Sequence, residues 1–275
     1  MNNYKTYQLI FQQGYDFIIA SKQLELIIQR IQEFIFILYS KDKVHAILLM
    51  DDRYKDLFNN IEITLQEFKL DDNKDIFPSL FQLPIYARLK FKQHYAIPFC
   101  LQPEPFPLYK VLADYAYSNN NNNNISSNTI PLAFFMHVYQ RNEKSSIAGY
   151  LRKHDLKRTS IFYAYADHIR QKLQATHYHT TLLLASNSKE ALMKGLSAFK
   201  TSYFTYRINS NNHRHELEKQ RLYKHIMKRP KRPLFSNQQY TVLSHTEVVS
   251  LMLPDSLMLR LTVDGIRPYT TGIML

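Results

Sequence analysis

The sequence predicts an α+β protein: two consecutive βαββαβ modules, then a basic arm and a short capped helix. Three observations predict it. Short runs rich in aromatic and β-branched residues alternate with stretches whose apolar residues recur every three or four positions, the signatures of strands and helices. The order of these runs between Tyr4 and Leu70 is repeated between Ile85 and Ile208. Beyond Ile208 the composition shifts to dense positive charge.

In the first module, Tyr4–Gln12 and Tyr15–Ala20 read as strands around Gly14. Ser21 is placed to cap a helix from Lys22 to about Gln32, with Leu24, Ile27, Ile28 and Ile31 on one face. Phe34–Tyr39 and Val44–Met50 are apolar runs separated by Ser-Lys-Asp-Lys, which predicts a hairpin. Asp51 and Asp52 open a short helix through Leu57, where acidic residues suit the helix N-terminus. Ile61–Leu70 alternates and supplies the last strand, completing a split βαβ, ferredoxin-like order. Asp71–Pro84 reads as a linker or edge region. From Asp51 to Asp75 eight acids face four bases, so this half is locally acidic.

The second module is read from Ile85–Lys92 and Tyr95–Leu101 as strands, closed by prolines 98, 103, 105 and 107. Leu108–Tyr117 is helical, with Leu108, Val111, Leu112 and Tyr115 on one side. Six consecutive asparagines, Asn119–Asn124, predict an exposed, mobile loop. Ile130–Gln140 and His177–Ala185 read as strands, followed by the helix Ser188–Lys200 and the strand Tyr203–Ile208. Arg141–Thr176 is an insertion between the central strands, with Phe162, Tyr165, Ala166, Ile169 and Leu173 at helical spacing. The expected organisation is therefore residues 1–76, 77–208 and 209–275.

The arm carries the most concentrated charge. Arg207, Arg214, Lys219, Arg221, Lys224, Lys228, Arg229, Lys231 and Arg232 stand against Glu216 and Glu218, which is +7 of the chain's +12. Glu216–Met227 has helical spacing, and Pro230 and Pro233 stop it. Such a field attracts phosphate backbones or anionic lipid heads and makes binding salt-dependent. The plain alternative is a solvated helix and linker kept soluble by its charge. Next, Ser244 followed three residues later by Glu247 forms a capping box. Val248, Leu251 and Met252 give that helix an apolar face, and Pro254 ends it.

Composition narrows the function. At 275 residues, 45% hydrophobic and 21% charged, the chain can bury a sizeable core. The single cysteine, Cys100, excludes an internal disulfide and a multi-cysteine metal cage, and it reads as a small core residue. MNNYKTYQ carries no signal-peptide pattern, and no apolar run approaches the ~20 residues of a membrane-spanning helix. Few glycines argue against a phosphate-cradling loop. Gly195–Ser202, GLSAFKTS, lacks the second glycine of a P-loop and lies within a helix. His177 and His179 share a strand face with Asp167 and His168 nearby, an incomplete zinc set beside the plainer reading of a half-exposed strand face. Tyr109, Tyr115, Tyr117, Tyr163 and Tyr165 offer either stacking platforms for bases or core aromatics. No nucleophile elbow, His-Glu-x-x-His or Walker sequence is present, so no catalytic residue, cofactor or metal is assigned.

The order of elements resembles the region preceding the motor domain in FtsK/HerA-type ATPases of conjugative, type IV secretion-like DNA transfer. The similarity lies in the aromatic N-terminal strand, Tyr95–Tyr117, the strand Ile130–Gln140, and Phe199–Ile208. It is sharpest at Leu243–Pro254, where Ser244, Glu247, Leu251, Leu253 and Pro254 fit that family's capped helix and closing Leu-Pro, whereas His245 and Met252 depart from it. The resemblance implies a bacterial or mobile-element module for assembly and docking, without ATPase chemistry of its own. It also implies DNA and conjugation-motor or secretion subunits as partners, a hexamer, and a cytoplasmic location at the inner face of the membrane. A self-contained nucleic-acid-binding replication or mobilisation factor is the second reading, and an interaction subunit meeting acidic protein or lipid is the third. Asp264–Leu275 still carries strand and turn signals, which predicts that the natural chain continues.

Overall fold

The computed structural model describes residues 4–11, 16–40, 43–59, 61–67, 83–91, 94–121, 132–155, 160–199, 204–209 and 241–255. Strands β1 (Tyr4–Phe11), β2 (Glu33–Ser40), β3 (Val44–Asp51) and β4 (Ile63–Glu67) alternate with helix α1 (Phe17–Ile28) and a short 3-10 helix, Asp52–Phe58. Then follow β5 (Ile85–Phe91), α2 (Leu108–Asn121), β6 (Leu132–Gln140), α3 (Lys144–Asp155), α4 (Ser160–Gln174) and β7 (His177–Ser186). The described chain closes with α5 (Lys189–Ser197), β8 (Phe204–Asn209), β9 (Thr241–Ser244) and α6 (His245–Met252).

All these strands belong to one mixed-connection, wholly antiparallel sheet in the order β4-β1-β3-β2-β6-β7-β5-β8, with β9 added beside β7. The seam is β2 against β6, paired from Glu33↔Tyr139 to Ser40↔Leu132. Outward from the seam the two halves run β2-β3-β1-β4 and β6-β7-β5-β8, the same order in mirror sequence. β7 is long enough to pair with β5 over Leu182–Ser186 and with β9 over His177–Thr180.

Alternation puts one set of residues on each face. Tyr7, Phe34, Phe36, Leu48, Phe134 and Leu184 meet α1, α2, α5 and α6 in the main core. Ile35, Ile37, Tyr39, Ile47, Phe135 and Leu183 form a second apolar cluster on the opposite face, and it too is buried. Because both faces of the central strands are apolar, β2, β3, β6 and β7 read as continuous hydrophobic runs. Gly195 of α5 lets that helix lie close to the sheet, since a Cβ there would stand 2.7 Å from Leu184 Cδ2 and 2.9 Å from Leu132 Cδ2.

Three expectations need correction. Ile18–Ala20 begin α1 instead of ending a strand, and the cap is Asp16, not Ser21: the Asp16 carboxylate accepts from Ile18 N at 2.7 Å and Ile19 N at 3.1 Å. Ser21 lies inside the helix and donates to Ile18 O. Tyr95–Leu101 is turn and bend, because Ile97 N bonds His94 O, Pro98 has no donor, and Phe99 N is taken by a distant carboxylate. Asn119–Asn121 extend α2 by nearly a turn instead of opening a loop. Asn122–Asn124, residues 71–82 of the linker, and Asp264–Leu275 lie outside the described residues.

Candidate functional site

The polar centre of the molecule is built on α6. Ser244 leaves β9 with extended φ and ψ, and its hydroxyl accepts from Glu247 N at 3.3 Å. Glu247 Oε2 in turn accepts from Ser244 N at 2.7 Å and from the Ser244 hydroxyl at 3.0 Å, closing the capping box. The carboxylate is buried and gathers two further partners: Phe99 N donates to Oε1 at 2.8 Å, and Lys172 Nζ lies 2.7 Å from Oε2. Lys172 also donates to Val242 O at 3.0 Å, while its own carbonyl meets His177 Nε2 at 2.7 Å.

One turn further along α6, the Ser250 hydroxyl accepts from Glu104 N at 3.0 Å and lies 3.3 Å from Cys100 Sγ. Tyr109 donates to Met252 O at 2.7 Å. The junction thus ties α4, the turn before α2, β9 and α6 into one unit. Ser244, Glu247, Leu251, Leu253 and Pro254 all sit in it, and Leu251, Leu253 and Glu247 are almost wholly covered. A cleft of about 250 Å³ opens beside it between Pro98, Leu101, Gln171, Gln174 and His245. The ammonium and carboxylate neutralise each other here, so the arrangement is a structural latch. Burial, reinforced by the Glu247 charge, pushes the Cys100 thiol well above its ordinary range, which keeps it protonated.

On the opposite sheet face are two carboxylate–imidazole pairs. His137 Nε2 lies 2.8 Å from Glu33 Oε1, and His179 Nε2 lies 2.6 Å from Glu143 Oε1. Burial holds His179 below the ordinary imidazole range even though the Glu143 charge and hydrogen bond act the other way. His177 is held low by burial as well, partly offset by its bond to the Lys172 carbonyl. His177 and His179 therefore serve different partners. Asp167 is turned to Arg170 at 2.6 Å, and among the described residues no group of three or more His, Cys, Asp or Glu is disposed to hold a metal ion.

Tyr109 is 2% exposed and belongs to the core. Tyr115 packs against that core, with Lys194 over its ring at 5.2 Å. Tyr165 lies at the smaller core of the α3–α4 hairpin, and the side chains of Tyr117 and Tyr163 fall outside the described residues. Gly195–Ser197 of the P-loop-like stretch are helical, as expected. Of the basic arm, Arg207 lies on β8 opposite Arg88 of β5. Arg214, Lys219, Arg221, Lys224, Lys228, Arg229, Lys231 and Arg232 lie outside the described residues.

Sequence reasoning missed Lys172. Its signal was present: Lys172 occupies the apolar stripe of α4, three residues after Ile169 and beside Leu173, where a lysine is out of place unless it meets an acid. No known protein family matches this chain, and no curated protein matches it.

Proposed function

We propose that this chain is a non-catalytic α+β module of a conjugative, type IV secretion-like DNA-transfer apparatus, serving assembly and docking DNA through its basic arm. One observation carries the proposal: residues 210–240, with eight Lys/Arg against two Glu, connect two strands of the same sheet. β8 ends at Asn209 opposite Tyr86, which faces Ala185, whereas β9 starts at Thr241 opposite Thr180. The two anchor points are therefore roughly 17 Å apart along β7, at ~3.3 Å per residue. A polycation tethered at both ends to a large folded body suits phosphate binding without base specificity.

Each half is proposed to be a ferredoxin-like module, on the shared strand order and on the equivalent positions of α1 with α2 and of the 3-10 helix with α5. The resemblance at Ser244–Pro254 supports placement next to a hexameric motor on the cytoplasmic side of the membrane, and among the described residues no helix is long and apolar enough to cross one. A sheet-face platform for bases has less support, because Tyr39, Phe135 and Tyr86 on the second face are at most 8% exposed. The test is titration of the chain with a short DNA duplex at rising salt. A steep loss of affinity supports the proposal; no binding, or binding indifferent to salt, rejects it.

A further inference from the structure

Among the described residues four large apolar side chains are exposed, and three of them stand on α1: Ile18 at 62%, Ile19 at 47% and Leu26 at 64%. Single exposed aliphatics are ordinary, whereas three on one short helix mark a surface with a use. The inner side of α1 is already satisfied, with Ala20, Leu24, Ile27 and Ile28 in the main core. Ile18, Lys22 and Leu26 follow one another at four-residue intervals and Ile19 precedes Lys22 by three, so all four share the arc turned away from the sheet. The fold does not require this. α2, in the equivalent place of the other half, exposes Lys110 and Asp114, and α5 exposes Glu190 and Lys194.

The same arc is basic. Lys22 is exposed at its centre, and Arg30 is exposed in the turn that closes the helix, where its backbone N donates to Ile27 O at 2.9 Å. Among the described residues neither cation meets a carboxylate. The acids of this segment are engaged elsewhere: Asp16 caps Ile18 N and Ile19 N, and Glu25 accepts from Thr246 Oγ1 of α6 at 2.6 Å.

Branched aliphatics around a central ammonium without a counter-charge fit the headgroup layer of an anionic bilayer. There the aliphatics reach the acyl boundary while the lysine stem lies along it and its charge stays among phosphates. A folded protein partner would have to desolvate Lys22 in the middle of the contact, where lysine is disfavoured. A helix about 18 Å long also offers less than the roughly 800 Å² per partner of a stable complex. A second copy meeting the same face about a two-fold axis would set two such cations against each other.

We infer that α1 is a peripheral membrane contact, in which Ile18, Ile19 and Leu26 enter the boundary between headgroups and acyl chains while Lys22 and Arg30 meet the phosphates of anionic lipid. The inference gives the membrane-side placement proposed above a surface, and it depends neither on the arm nor on DNA.

The experiment is flotation of the chain with vesicles of phosphatidylcholine alone and of phosphatidylcholine mixed with phosphatidylglycerol, every variant being checked by thermal melting. The parent floats with the mixed vesicles. Ile18→Ser combined with Leu26→Ser leaves the charge unchanged and lowers the partition coefficient roughly tenfold. Lys22→Gln lowers it roughly fivefold on the mixed vesicles. The basic arm is a second attractant for anionic lipid, so insertion is read separately. The chain has no tryptophan, and Ile18→Trp is therefore a unique reporter whose emission shifts to the blue and is quenched by brominated acyl chains. If the folded double-serine chain floats as the parent does, or the emission of the Ile18→Trp chain stays that of an exposed indole, the inference is overturned and adsorption belongs to the arm. A parent that floats with neither vesicle overturns it as well. A parent dimer that the double-serine change converts to monomer, without any change in flotation, overturns it in favour of a contact between copies. Duplex titration of the double-serine chain matches the parent, so the DNA reading and this one fail separately.

Discussion

Lys172 Nζ lies 2.7 Å from Glu247 Oε2, with both side chains fully buried. The pair joins the inserted hairpin to the capped helix across 75 residues of sequence. Removing one partner leaves a buried, uncompensated charge.

Lys172→Met is therefore expected to destabilise the protein by about 3–5 kcal/mol in urea unfolding. Glu247→Gln is expected to cost a comparable amount, because it leaves the buried Lys172 ammonium without its counter-charge and turns an amide N–H toward a backbone donor that the carboxylate accepted. A double-mutant cycle over Lys172→Met and Glu247→Gln should give a coupling above about 1 kcal/mol. Additive effects would show that the two groups act separately.

Ser244→Ala removes the acceptor for Glu247 N and one donor to its carboxylate. The expected loss is about 1–2 kcal/mol, with Ser244→Thr close to the parent because threonine also caps. Equal losses for alanine and threonine would point to packing instead of the hydroxyl.

Gly195→Ala places a methyl against Leu184 and Leu132, both fully buried. Helix propensity favours alanine by about 1 kcal/mol. Crowding of the two leucines opposes it at about 1–3 kcal/mol, so a net loss is expected. Gly195→Ala combined with Leu184→Val should recover part of it, and a stabilised single variant would show that α5 is not held so close to the sheet.

His177, His179 and His245 are each held below the ordinary imidazole value of 6.5, chiefly by burial. The unfolded chain binds protons at a pH where the folded chain does not. Stability is then full above the unfolded value and is lost as pH falls through about 6.5 toward the folded values. The urea midpoint should be flat between about pH 7 and 8 and decline between about 7 and 5.5. His179→Gln should make that decline shallower, and a midpoint constant over the whole range would contradict the buried neutral imidazoles.

Much of the sheet was legible because its strands are short apolar runs bounded by turn signals, as at Phe34–Tyr39 and Val44–Met50. The capping box was legible because Ser244 and Glu247 are local in sequence. Ile18 and Ile19 misled because they are β-branched, apolar and yet 62% and 47% exposed on α1; only the Asp16 side chain reveals the helix start. Tyr95–Leu101 misled for the converse reason, since its backbone donors are satisfied by Glu247 and by local turns, which no residue pattern announces. β9 was missed because four residues beside β7 carry too little period to stand out. The Glu33–His137 and Glu143–His179 pairs depend on strand register across the seam and on a loop, information that pairwise spacing in one chain does not contain.

The central claim is that the arm holds DNA by its charge, and the slope of log affinity against log salt measures this most directly. Duplex binding by the parent should fall steeply, and alanines at Lys228, Arg229, Lys231 and Arg232 should flatten the slope by as much as roughly 3.6, at about 0.9 per phosphate neutralised. Parallel slopes for parent and variant would contradict it and remove the arm from DNA binding.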